Sequence, residues 1–295
     1  MMESVISFLI SVTPFLIDGL LLGFVFGVAA MGLTLIWGVM DVINLAHGPI
    51  ISLAMFGVYL LTVTLGWGNP YIALIVVAAL ALPIGMGIYY IAVNRVIDAP
   101  HLSSLLATYS VNMMLMGVMN AVFGGAPRNI EYSLGTIQIG ESITIPTARL
   151  VAAVAAAGIA TALYFFLYRT RIGRYIRAVT DNRDAAELVG VPSTRILALS
   201  FGIGTLLAAF AGGLIATIFP FTIFEGSKYE LKSFVIGVLG GLGNPIGSLF
   251  GGLILGVIEG LVPMFLETSW TPVIEFTLFV LILLVRPTGL FGGKS

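Results

Sequence analysis

The sequence predicts an all-α, polytopic integral membrane protein with about eight transmembrane helices, within a range of 7–10, some of them broken or re-entrant. Three observations carry that prediction. Apolar residues make up 59% of the 295 residues and charged residues only 9%, against roughly 25% charged in a soluble domain. Mean hydropathy is +1.09. The apolar stretches reach the roughly 20 residues that one helical span needs, and they are continuous rather than alternating, which argues against a barrel. In hydrocarbon every backbone N–H and C=O must find an internal partner, so helices are the form that remains.

The first apolar segment covers 14–38, and Pro14 marks a point where a short separate helix could end. The opening Met1-Met2-Glu3-Ser4 lacks the basic residues of a cleaved signal, so the first segment is expected to stay in the membrane. Segments at 49–66, 70–93 and 102–124 follow. The connection 125–147 carries Arg128, Glu131 and Glu141, and its stretches 137–140 and 144–146 alternate β-branched and small residues as a small hairpin would. Next come 149–168 and 196–219. The segment 234–266 is too long for one plain span and is interrupted at Gly243-Asn244-Pro245, so it reads as two pieces, a re-entrant hairpin being one form. The last segment is 272–285. With no fixed-period repeat and no separate soluble stretch, residues 1–295 read as a single transmembrane domain.

Orientation follows from Lys and Arg, which concentrate on the cytoplasmic side. The connection 169–195 holds Arg169, Arg171, Arg174, Arg177, Arg183 and Arg195, six of the thirteen basic residues, and is placed in the cytoplasm. Alternation then puts Arg95, Arg286 and Lys294 inside with the C-terminus, and the 125–147 loop and the start of the chain outside. The alternation closes only if 234–266 begins and ends on one side. A net charge of −1 offers no basic footprint for nucleic acid, and the absence of Cys removes disulfides and thiolate metal sites. Two His and no paired carboxylates in a polar setting leave an enzyme reading without support, and no metal site is expected.

Four features could carry function. In the 169–195 connection, Asp181 or Asn182 can cap a helix of roughly two turns, Asp184 and Glu187 suit its dipole, and Gly190 and Pro192 end it. Ala185 and Ala186 would offer a small face to another protein; the alternative is a solvated loop serving topology alone. Turn-forming residues interrupt apolar regions at Asp41, Asn44, His47, Gly48 and Pro49, and again at Gly240, Gly241, Asn244 and Pro245. Broken helices in corresponding places can line a substrate route, and plain interfacial turns are the simpler reading. Asn112 and Asn120 either bond another helix or line that route, and His47 is a structural residue or a proton carrier. Gly19, Gly23 and Gly27, and later Gly252, Gly256 and Gly260, recur every four residues as in close helix packing. Glu259 and Glu275 fall within apolar runs, where a charge costs about 3 kcal/mol, and mark either helix ends or ion coupling.

The run Gly173-Arg174 … Arg177-Ala178-Val179 … Asp181-Asn182 … Ala185-Ala186-Glu187 … Gly190-Val191 resembles the coupling loop of branched-chain amino acid permeases of ABC importers. Three further stretches agree in order: Gly32-Leu33-Thr34-Leu35-Ile36-Trp37-Gly38-Val39 with Ile43-Asn44-Leu45-Ala46-His47-Gly48, Gly237-Val238-Leu239-Gly240-Gly241-Leu242-Gly243-Asn244-Pro245-Ile246-Gly247, and Arg286-Pro287-Thr288-Gly289-Leu290-Phe291-Gly292. Leu45 departs from the family, where many relatives carry Phe. The resemblance implies a multi-pass half-permease of the bacterial inner membrane. Its implied partners are a second homologous permease, two ABC ATP-binding subunits and a periplasmic substrate-binding protein. ATP and magnesium would sit on the partner ATPase with no cofactor on this chain, whose sequence lacks the Gly-x-x-x-x-Gly-Lys-Ser/Thr run. Amide and urea permeases look similar, and a self-sufficient ion-coupled transporter or channel, or a membrane scaffold, are the readings from other classes.

Overall fold

The computed structural model describes residues 2–139, 143–286 and 288–292, with side chains from Ser11 onward except at Ile139 and Ile143. Gly140, Glu141, Pro287 and Lys294, which the sequence reading used, lie outside the described residues. The chain folds into α1 (Met2–Met40), α2 (His47–Tyr59), α3 (Pro70–Ile88) and α4 (His101–Phe123), then a hairpin of β1 (Thr136–Ile139) and β2 (Ile143–Pro146). It continues as α5 (Thr147–Arg169), α6 (Arg171–Asp181), α7 (Arg183–Leu188), α8 (Ser193–Ala216), α9 (Glu225–Gly240), α10 (Pro245–Phe265) and α11 (Thr271–Val285). Single π turns, Leu60–Thr64 and Tyr89–Val93, extend α2 and α3. Among the described residues eight helices have the length and apolar composition to cross a membrane: α1, α2, α3, α4, α5, α8, α10 and α11. This is an all-α polytopic membrane protein.

Two expectations about the helices are corrected or refined. No separate helix precedes Pro14, because α1 runs through it. Proline removes one intrahelical hydrogen bond, and in an apolar medium the neighbouring backbone groups still do best by staying helical. The long 234–266 segment does divide, at the turn between α9 and α10, where Gly241 and Gly243 adopt φ of +91° and +82°. The 137–146 hairpin forms, with Ile137 opposite Ile145.

The helices α1 and α8 form the centre, with 83% of their apolar stretches buried, and α2, α3, α9 and α10 pack around them. The helices α4 and α11 lie at the periphery, where 17% and 11% are buried and large apolar side chains such as Leu106, Val122, Leu281 and Leu284 face outward. That is the pattern expected when lipid is the solvent. The two glycine ridges meet each other. A Cβ on Gly23 would sit 2.8 Å from Gly252 O, and one on Gly252 would sit 2.5 Å from Gly27 Cα. Gly19, Gly256 and Gly260 are closer still, each against backbone of the facing helix. The ridges therefore join α1 to α10 of the same chain.

One end of the bundle gathers the 169–195 connection, the α9–α10 turn and the last described residues. Gly38 near the end of α1 packs on Gly243, and Gly241 packs on Gly292. The opposite end carries the hairpin and the ion pair between Asp18 of α1 and Arg149 of α5. These are called the Arg-rich end and the hairpin end below.

Candidate functional site

At the Arg-rich end Asp41 closes α1 in a left-handed conformation, φ +50°. The chain then turns back into the bundle without helix from 42 to 46. His47, fully buried, places Nε2 3.1 Å from Ala29 O. Ala29 lies about 17 Å along α1 from its last residue, at 1.5 Å per residue. So α2 starts about midway through the bundle. The unwound backbone is held by side chains, as buried carbonyls demand. Thr108 Oγ1 donates to Ile43 O at 2.9 Å, Asn112 Nδ2 donates to Leu45 O at 2.6 Å, and Asn44 Oδ1 accepts the Ala46 N–H at 3.1 Å.

A second helix starts at the same depth. Gly226, in the first turn of α9, donates its N–H to Ser52 Oγ of α2 at 2.8 Å, and a Cβ on it would collide with Gly48 O. From there α9 descends to the Arg-rich end, where Gly240 packs on Gly247. Two half-helices thus begin at one point and run to opposite ends. The Glu230 carboxyl group accepts the Gly48 N–H at the start of α2. Buried Asn44 Nδ2, His47 Nδ1, Glu230 Oε1 and Ser233 Oγ have no hydrogen-bond partner among the described residues.

The sequence reading paired the break at Asn44, His47 and Gly48 with the one at Gly240, Gly241, Asn244 and Pro245. The structure separates them. The second is a tight turn at the Arg-rich end, where Asn244 Oδ1 caps α10 through the Gly247 N–H at 3.0 Å and Nδ2 donates to Phe291 O at 3.2 Å. The break that faces His47 is the start of α9, at Gly226. Asn112 joins the unwound segment. Asn120, one face over, is exposed. Gly226, Ser52 and Glu230 were missed, since the charged start of α9 masked a segment entering the bundle.

The 169–195 connection is two helices, and α6 was unforeseen. Thr170 caps α6 by accepting the Gly173 N–H at 3.0 Å. Gly173, Ile176 and Val179 turn inward, Gly173 against the Phe166 and Leu167 carbonyls, while Arg174 and Tyr175 face out. Arg177 donates to Leu167 O at 2.8 Å and stacks over Tyr168. Asn182, of the two expected caps, holds α7 by accepting the Ala185 N–H at 2.9 Å, and Asp181 is exposed beside it. Arg183 bridges Asp98, between α3 and α4, at 2.7 Å and Glu187 at 3.4 Å. Gly190 ends the turn at φ +86°. The expected Ala185–Ala186 face is corrected: Ala185 is exposed, but Ala186 is 4% exposed and packs inward. The outward apolar residues are Leu188 and Val189, 88% and 79% exposed.

Glu259 and Glu275 meet in one place. Both pair with Lys232 of α9, a residue the sequence reading passed over. Lys232 Nζ bonds Glu259 Oε2, lies 3.3 Å from Glu275 Oε1 and sits 5.0 Å above the Phe26 ring. Each carboxylate inside an apolar run therefore has a cation, as burial requires.

Half-helices starting at mid-depth, an amphipathic connection between spans and an apolar exterior describe a membrane transport domain. The family model described as "Branched-chain amino acid transport system / permease component" matches residues 15–284. The chain belongs to this family. It is 28% identical to the high-affinity branched-chain amino acid transport system permease protein LivH of Escherichia coli, with 93% of this chain and 94% of LivH covered. It is 29% identical to the corresponding BraD of Pseudomonas aeruginosa, covering 94% of each. The ribose import permease protein RbsC of Escherichia coli is 30% identical over 71% of this chain and 67% of its own. Among solved structures, a chain of PsaBC from Streptococcus pneumoniae in complex with Fab aligns with a TM-score of 0.52 at 15% identity, over 93% of this chain and 92% of that one. That likeness concerns the fold. The membership accords with the resemblance read from the Arg-rich connection and the three ordered stretches.

Proposed function

We propose that this permease-family chain is one half of the membrane pathway of an ATP-driven ABC importer in a bacterial inner membrane. Its cargo is a branched-chain or related small hydrophobic amino acid. It works with a second homologous permease, two ATP-binding subunits and a periplasmic substrate-binding protein. ATP and magnesium belong to the ATP-binding partner. The 169–195 connection and the C-terminus face the cytoplasm, because six of thirteen basic residues lie in that connection.

The observation that carries this reading is the apolar tip of α7. Leu188 and Val189 project from a short helix set between two spans, with Arg-rich α6 beneath them. An apolar pair this exposed suits a groove on another protein. The connection is also built to pass on a push. Arg177 ties α6 to the end of α5, and Arg183 ties α7 to the α3–α4 connection. Closure of the ATP-binding subunits on α7 would tilt those helices and alternate access around the mid-depth half-helices, where alternating access places substrate in such folds.

Co-purification from membranes tests the partner requirement: an intact chain that recovers no ATP-binding subunit sinks the reading. Gly190→Trp tests coupling. Chain neighbours aside, no described residue lies within 4 Å of its Cβ position, so the ring would project from the end of α7, and the φ of +86° there would be strained as well. ATP hydrolysis by the assembled transporter should continue while uptake falls at least about tenfold, one RT-scaled decade. Unchanged uptake removes the role assigned to this loop.

A further inference from the structure

The helices α3 and α4 follow each other in sequence, yet each packs mainly on other elements. The first lies on α2 and α8, the second on α2 and the Tyr89–Val93 turn. A groove of about 250 Å³ is left between them. Ile50 and Leu60 line it from the α2 side, Val77 and Ile88 from α3, and Leu115 and Phe123 from α4. Thr205 of α8 also borders it, with its hydroxyl engaged by Phe201 O at 2.9 Å. Leu80 and Ile84, two more lining residues, are exposed, so the groove opens on the outer surface of the bundle, where the bilayer is the solvent.

Depth and charge together say what fills it. The helix α2 starts about midway through the bundle, and Ile50 to Leu60 cover about 15 Å at 1.5 Å per residue. That is half of the roughly 30 Å hydrocarbon core, the reach of the acyl chains of one leaflet. A helix with its side chains is roughly 10–12 Å across, too wide for a slot of this volume and length. Charge comes from Arg128. Its guanidinium lies 5.7 Å from the centre of the Tyr59 ring, next to Leu60, and donates to Phe123 O at 3.5 Å. Phe123 is the last residue of α4, whose first residues follow the Asp98–Arg183 ion pair of the Arg-rich end. Arg128 therefore stands at the end of the groove away from the Arg-rich end. It pairs with no carboxylate among the described residues. A guanidinium can give a phosphate two hydrogen bonds at once.

We infer that the groove binds one membrane phospholipid, with an acyl chain between α3 and α4 and the headgroup phosphate on Arg128. Left empty, the walls of the slot would forfeit their dispersion contacts. The seated chain bridges α3 and α4, and α4 is the helix whose Thr108 and Asn112 hold the unwound 42–46 segment. The lipid thereby steadies the break from which α2 starts.

The test uses the full chain purified in detergent, together with any subunits that accompany it. A phosphatidylglycerol carrying a diazirine near the end of one acyl chain is added and irradiated, and the cross-links are mapped by peptide mass spectrometry. Groove residues of α2, α3 and α4 should be labelled, saturating at one lipid per chain. Unlabelled phosphatidylglycerol should compete at least about tenfold better than diacylglycerol, which has the same chains without the phosphate, as a hydrogen bond between charged groups predicts. Arg128→Gln should erase that preference, and Arg128→Lys should keep most of it. Ile84→Trp, which puts an indole into the slot, should remove groove labelling, with an unchanged unfolding midpoint showing that the fold persists. Label spread evenly over the outward residues of α4 and α11, an unlabelled groove, equal competition by diacylglycerol, or undiminished groove labelling in Ile84→Trp overturns the inference.

Discussion

Asn112 donates to Leu45 O at 2.6 Å and is the side chain that closes one of the gaps left when the chain unwinds at 42–46. Asn112→Ala leaves that partly buried carbonyl unpaired, and about 1 kcal/mol of stability should go with it. Thermal unfolding of the purified protein in detergent would show a lowered midpoint. Asn120→Ala should leave the midpoint where it is, because Asn120 is exposed and its side chain holds nothing. In the sequence the two residues carried the same signal, a polar group in an apolar run. Composition marks such residues but does not give their angle around the helix, and the angle separates them. His47 and Asn44 were legible for the same reason and prove to be central. Leu188 and Val189 were not, since an apolar residue beside a short helix looks like core until its surroundings are known. Lys232 was hidden by its neighbours Lys228 and Glu230, which made the start of α9 look like a loop.

At the scale of elements, glycine spacing read correctly as close packing, and the facing surface came only from the structure. The α1–α10 contact leaves no room for a side chain, whereas beyond its own turn of α5 no described residue comes within 4 Å of the Cβ position of Gly158. Gly256→Val should therefore force α1 and α10 apart and cost more than the roughly 1–3 kcal/mol of ordinary overpacking, because backbone cannot move aside as a side chain can. Gly158→Ala should stabilise by about 0.5–1 kcal/mol through helix propensity. Yield of monodisperse protein and its unfolding midpoint would separate the two, and tolerance of Gly256→Val would contradict the packing described. The half-helices taught a different lesson. Turn-forming residues located the break at 41–48 and the turn at 240–245, but which breaks face each other depends on depth, and depth is set by packing. The true counterpart of Gly48 is Gly226, whose small size matters through one neighbour in space.

For the whole molecule, scarcity of charge was enough to establish the class, because 9% charged residues cannot cover a water-facing surface. Orientation rests on where the few basic residues lie, and single cysteines would check it in this Cys-free chain. Cys at Arg95 should react with an impermeant maleimide only from the cytoplasmic side, and Cys at Ser133 only from outside; both positions are exposed. Labelling of both from one side would refute the alternation, and reversed labelling would refute the placement of the Arg-rich end.

The junction of α1 with α10 also bears on how the chain is made. Gly19 and Gly256 stand roughly 240 residues apart, a length the ribosome covers in roughly 12–50 s at 5–20 residues per second. For that time the first helix has been synthesised and its partner has not. Its glycine face must wait against lipid or against the insertion machinery, and this backbone-to-backbone contact cannot close until synthesis is almost complete.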